Sequence, residues 1–329
     1  MRNHYRKLIQ LVLVGLVFLA QMGAGAAQAQ GTFSDVKVRF TNDKERKLEF
    51  KDADLVLDDA ARRLRVKSSE RPLDVSYDDV QKVVVEVNTF GERAGFAASF
   101  FGMFAGGLLF GNAIATSIDK PFKNDHFIYL EVKKPDGMTP YLLNVGKDSV
   151  PQVLKSLQAA FGDRVVVPAF TEIAETMDKK DFTPSKSRVL FVATDKQHPL
   201  PELKTDKALV VVHCPATILI RVRPEKPGHL NYNQGYALYA NGVPVGLNAP
   251  GTYTFFYLDP GDYFVVSQVN DVAGLRMKLE AGKDYYLTQT PYVKGIHIHT
   301  FLTRHSKELV MYEVAGSLWA DWKIDEKSN

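Results

Sequence analysis

Along much of the chain, apolar and polar residues alternate in short runs, a pattern that predicts strands. In "DLVLDDAARRLRVKSS", Leu64 and Val66 alternate with Arg63, Arg65 and Lys67 around an acidic-rich turn, which reads as a hairpin. "PLDVSYDDVQKVVVEV" continues it, with Val75 and Tyr77 on one face. "HFIYLEVKKPDGMTPYLLNV" predicts two more strands joined at Pro135-Asp136-Gly137. The period then changes. "DSVPQVLKSLQAAFG" sets Val150, Leu154, Leu157 and Phe161 on one helical stripe, with Asp148 or Ser149 as cap, Pro151 in the first turn and Gly162 at the stop.

After "DRVVVPAF" the chain becomes polar and mixed, and residues 167–206 read as a linker. Within it "RVLFVAT" is an isolated strand and "DKQHPLPELKTDK" a loop. Short β-branched and aromatic segments resume near Ala208 and continue to about residue 325. Asn241-Gly242, between "ALYA" and "VPVGL", is a hairpin signal, because a type I′ turn needs positive φ at both central positions. Leu275, Met277 and Leu279 alternate with Arg276, Lys278 and Glu280, so one face is buried and one is wet. The expected fold is mainly β with few helices: a sheet-plus-helix domain over 31–166, then an antiparallel β-sandwich over 207–325.

Several antiparallel strands closed by one amphipathic helix resemble the pleckstrin-homology-like superfold in its bacterial variants. In the second half, "LYANGVPVG", "GTYTFFYLDPGDYFV" and "LEAGKDYYL" follow one another in an order similar to the bacterial domain of unknown function 2846. That family in turn looks like the PEGA and carboxypeptidase-regulatory-like sandwiches. The resemblance implies an envelope protein, periplasmic or membrane-associated, without an assigned activity. It makes Gly242 and Gly261 turn positions and Tyr263 and Tyr285 packing positions. Many members of the family look like lipoproteins, whereas no cysteine stands near the N-terminus of this chain.

One segment breaks the alternation. Residues 94–118, "AGFAASFFGMFAGGLLFGNAIATSI", carry no charge in a chain that is 24% charged. Gly106-Gly107 lies at the middle, where a tight turn would fall, and small residues four apart flank it: Ala98, Gly102 and Gly106, then Gly107, Gly111 and Ala115. Two short helices closing on that turn would present Phe96, Phe100, Phe101, Phe104 and Phe110 outward. Arg93, Lys120 and Lys123 would stand at the lipid headgroups. The segment reads as a hairpin dipping into a membrane, with a hairpin buried against protein and a single span as the alternatives. The span requires that the strands on either side do not pair.

The N-terminus adds a compartment. Arg2, Arg6 and Lys7 precede an h-region from Leu8 to Ala20, and Ala27-Gln28-Ala29 has the form read by signal peptidase, with cleavage between Ala29 and Gln30. Export to the periplasm or cell envelope is expected. Residues 1–30 hold three of the 41 basic residues and no acid, so the mature chain balances its 38 acidic residues. That balance argues against nucleic acid as a partner, since such binding needs a basic footprint. The single cysteine, Cys214, excludes an internal disulfide and reads as a buried small hydrophobe.

Candidate chemistry is sparse. His297 and His299 share one face of a strand and His305 follows, a weak metal set for which no Cys or carboxylate partner stands nearby. Asp78 and Asp79 read as turn caps, and Trp319 and Trp322 as packing residues of a terminal segment. No HExxH, C-x-x-C, G-x-S-x-G or Walker loop occurs. No cofactor is expected. The reading is a non-catalytic protein that binds or scaffolds at a membrane surface, with lipid or another envelope protein as partner. The alternatives are a soluble periplasmic protein using 94–118 as an interface, and a metal-dependent enzyme around His297 and His299.

Overall fold

The computed structural model describes residues 31–42, 47–88, 125–170, 172–177, 182–184, 188–193, 198, 200–215, 235–269, 272–294 and 297–325. The protein is mainly β, with three sheets and few helices among these residues. The described residues fall into two compact units, one within Met1–Val38 and Lys51–Val167, the other within Arg39–Phe50 and Pro168–Asn329.

Apart from residues 39–42 and 47–50, the first unit holds an eight-stranded sheet of β1 (Gly31–Asn42), β2 (Lys47–Asp58), β3 (Arg63–Lys67), β4 (Leu73–Ser76), β5 (Val80–Asn88), β6 (Asp125–Lys134), β7 (Gly137–Val145) and β8 (Val165–Val166). Their order is β4-β3-β2-β1-β7-β6-β5-β8. The first seven form two antiparallel meanders joined where β1 pairs β7. Leu64 and Val66 point inward, as their alternation requires, and Val75 and Tyr77 share the buried face. Helix α1 (Val150–Phe161) closes that face with Val150, Val153, Leu154, Leu157 and Phe161. Ser149 is its N-cap residue, without a side-chain bond, and Gly162 ends it at φ 54°. Arg164 then donates to the carbonyls of Tyr77 and Val80, tying the end of α1 to the start of β5.

The second unit holds two sheets over one apolar core. The six-stranded sheet runs β10 (Arg188–Ala193), β19 (Leu318–Asp325), β14 (Thr252–Leu258), β11 (Ala208–Cys214), β17 (Asp284–Lys294), β18 (His297–His305). The five-stranded sheet runs β13 (Val243–Asn248), β12 (Tyr236–Ala240), β15 (Gly261–Gln268), β16 (Val272–Leu279), β9 (Ile173–Met177). Val210, Val212, Phe256 and Leu287 of the first meet Leu238, Val265, Leu275 and Met277 of the second. Asn241 and Gly242 form the β12–β13 turn at φ 48° and 82°, as a type I′ hairpin demands.

Two features depart from the sequence reading. The segment 167–206 expected as a linker supplies β9, paired to β16, and β10, paired to β19. Both are edge strands: β10 is the isolated strand read in "RVLFVAT", now paired, and β9 is one whose polar residues an edge position tolerates. The sandwich is also not purely antiparallel: β11 pairs β17 and β14 pairs β19 in parallel. Helix α2 (Lys307–Val314), capped by Ser306, packs on β11 and β17 from the side away from the sandwich core.

Candidate functional site

The apolar segment is inserted between two strands that pair. β5 and β6 run antiparallel from Val80↔Val132 to Asn88↔Asp125, so residues 89–124 join neighbouring strand ends, about 5 Å apart by ladder geometry. Phe96, Phe100, Phe101, Phe104, Phe110, Gly106 and Gly107 lie outside the described residues, as do Ala29 and Gln30. What the structure places is the base from which this segment departs.

That base is apolar within. On the α1 side, Val83, Val85, Ile128 and Leu143 belong to the core of the first unit. Alternation sends Val84, Phe127 and Leu142 to the opposite face, where they are buried as well. Next to Asp125 along the sheet, β7 ends at Val145, and Gly146 donates its backbone N–H to the Asp35 carbonyl at 2.9 Å. A Cβ at Gly146 would fall 1.4 Å from the Asp35 carboxylate, the movable end of an exposed side chain, so a larger residue there would displace that carboxylate rather than the backbone. Asp35, Lys37, Lys147 and Asp148 are exposed charges at this rim.

The histidines of β18 do not converge. His297, His299 and His305 share one side of the strand, but their Cα partners on β17 are Lys294, Tyr292 and Tyr286. Eight residues of strand put His305 roughly 26 Å from His297. His305 is buried near α2 and His299 is half-buried. Among the described residues no group of three or more His, Cys, Asp or Glu side chains could hold a metal ion.

A buried polar cluster beneath α2 was missed by sequence reasoning. His213 is 1% exposed, and its Nε2 lies 2.9 Å from Ser317 Oγ. Its Nδ1 has no hydrogen-bond partner, and the nearest carboxylate oxygen, Glu313 Oε2, is 3.7 Å away. Glu313 in turn accepts from Arg39 at 2.8 Å, and Ser317 donates to the Glu313 carbonyl at 2.9 Å. Burial first, then the charges of Arg39 and His305, hold the His213 imidazole down to about 3, so it is neutral at ordinary pH. Ser, His and Glu side by side suggest a nucleophile with its base. Yet Ser317 is buried and its proton is directed to a backbone carbonyl, so the cluster has the form of a polar core. Its sole trace in the sequence is one His in the strand "ALVVVHC", and no local pattern couples it to Glu313 or Arg39. Cys214, next along β11, is a free, buried thiol that burial pushes far above its ordinary value.

No family model matches the chain, and no curated protein matches it in sequence.

Proposed function

We propose that the protein is an exported, non-catalytic component of a bacterial cell envelope that binds or scaffolds at a membrane surface. Its first unit is a PH-like domain carrying the apolar hairpin 94–118, which dips into the bilayer, and its second is a PEGA-like sandwich of the kind found in the domain of unknown function 2846. The observation that carries this reading is the pairing of Asn88 with Asp125. A segment that leaves and re-enters a sheet at adjacent strand ends cannot cross a bilayer once without parting those strands. Each arm of about 11 residues would reach roughly 16 Å, half-way through the hydrocarbon layer. The strand order and the closing helix support the PH-like assignment, and the basic, apolar and small-residue regions before Ala29 support export. The partner is membrane lipid or another envelope protein.

Vesicle flotation of the mature chain tests this reading. Replacing Phe100, Phe101 and Phe104 with Ser should remove on the order of 5 kcal/mol of apolar transfer and release the protein from vesicles while it stays folded. Undiminished flotation of the folded variant would sink the proposal.

A second reading has its own support. Val84, Phe127 and Leu142, on the face away from α1, are buried without belonging to the core that α1 closes. An apolar segment leaving from the same strands could serve as their cover, with the protein soluble and 94–118 forming a protein interface. This reading expects no flotation of either form.

A further inference from the structure

The outer face of the six-stranded sheet is covered by two different pieces. Helix α2 lies over β11 and β17, whereas β14 presents Tyr253, Phe255 and Tyr257 outward, with Trp319 of β19 beside Tyr253 in register. Over this aromatic row lie His198 and residues 200–204. The Tyr253 hydroxyl donates to the His198 carbonyl and accepts from the His198 N–H at 2.9 Å. The Tyr257 hydroxyl donates to the Glu202 carbonyl. The His198 ring sits 4.3 Å from Trp319 and 5.7 Å from Phe255, and the Lys204 ammonium lies 4.1 Å over the Tyr257 ring.

These spacings fix the shape of the segment. Tyr253 and Tyr257 are four residues apart on a strand, roughly 13 Å. His198 and Glu202 are also four apart, so their carbonyls match the two hydroxyls at about 3 Å per residue, the spacing of an extended or polyproline-type peptide. Pro201 supports this by fixing its own φ and by pushing Leu200 out of the helical region. Hydroxyls reading carbonyls, flat rings packing the chain and a cation over a ring together make up the way aromatic grooves take proline-containing peptides.

We propose that the aromatic face of Tyr253, Phe255, Tyr257 and Trp319 is a recognition surface for an extended, proline-containing segment of another protein, which the chain's own His198–Lys204 occupies as an internal ligand. The chemistry of the internal ligand defines the partner: carbonyls four residues apart, a flat ring at the first position and a cation just past the second carbonyl. A tethered occupant competes at millimolar effective concentration, so the surface is masked until the strap is loosened or outcompeted.

The test uses the mature chain and a fluorescent peptide of sequence QHPLPELKTDK as probe. A strap-weakened variant, His198→Gly with Pro201→Gly, should bind the peptide at least about tenfold more tightly than the unaltered chain. Adding Tyr253→Phe and Tyr257→Phe to that variant should abolish the gain. A folded variant that ignores the peptide, binds it independently of the two hydroxyls, or self-associates without taking it up overturns the proposal. A second measurement leaves the strap intact. In a Trp322→Phe chain, Trp319 is the only tryptophan, and peptide at millimolar concentration should shift its emission as His198 is displaced. An unchanged spectrum also overturns the proposal.

Discussion

Asn88 and Asp125 are Cα partners at the paired ends of β5 and β6. Two strands that meet there can be joined by a turn of two residues as well as by the 89–124 segment, because a type I′ loop spans that gap. Replacing residues 89–124 with Asn-Gly should therefore leave a folded first unit with unchanged β-sheet circular dichroism and a single cooperative melt. Loss of the sheet signal would mean that the inserted segment is part of the core.

His213 predicts an acid limb. An unfolded histidine titrates near 6.5, whereas the buried imidazole titrates near 3 beside Arg39, Glu313 and His305. Between those values the unfolded chain binds a proton that the folded chain refuses, so stability falls as pH falls, by about 1.4 kcal/mol per pH unit. The contribution is fully present above pH 6.5. Urea midpoints from pH 7 to 4 should drop less steeply in His213→Gln than in the unaltered chain. Parallel curves would contradict this assignment.

Arg304 closes one corner of the sandwich. It pairs with Glu172 at 2.9 Å and lies 4.5 Å over the Tyr285 ring, with both ionic side chains largely shielded from water. Arg304→Ala strands the Glu172 carboxylate and should cost about 3–5 kcal/mol. A double variant that also carries Glu172→Gln should recover part of that loss. Chemical denaturation of the unaltered chain, the two single variants and the double variant measures the coupling, and additive losses would show that the pair is not a unit.

Gly242 carries a smaller but cleaner cost. At φ 82° a Cβ is strained, and it would also stand 3.2 Å from the Thr183 carbonyl. Gly242→Ala should lose about 1 kcal/mol or slightly more, read as a shift in thermal midpoint. An equal or higher midpoint would argue that the turn is not type I′.

The elements most legible in the sequence were those whose signal is local. The α1 stripe of Val150, Leu154, Leu157 and Phe161 and the Asn241-Gly242 turn depend on spacing or on one backbone angle. β9 was hidden because an edge strand needs only one paired side and carries polar residues such as Glu175, whereas β10 was legible as the apolar run "RVLFVAT" although its pairing with β19 was not. The parallel pairing of β11 with β17 left no trace, since parallel and antiparallel ladders bury the same alternate residues. The Arg39–Glu313–His213 cluster joins residues far apart in the chain, and no window of sequence contains it. The strap was visible only as a proline-bearing loop, because its partners Tyr253 and Tyr257 lie 55 residues further along the chain.

The most direct test of membrane association is fractionation of cells expressing the full chain and the chain in which Asn-Gly replaces residues 89–124, each washed with alkaline carbonate. The account predicts that the full chain stays with the membrane pellet and that the shortened chain is released, soluble and folded. If both chains appear in the soluble fraction, the apolar segment is not an anchor and the proposal of membrane association is contradicted.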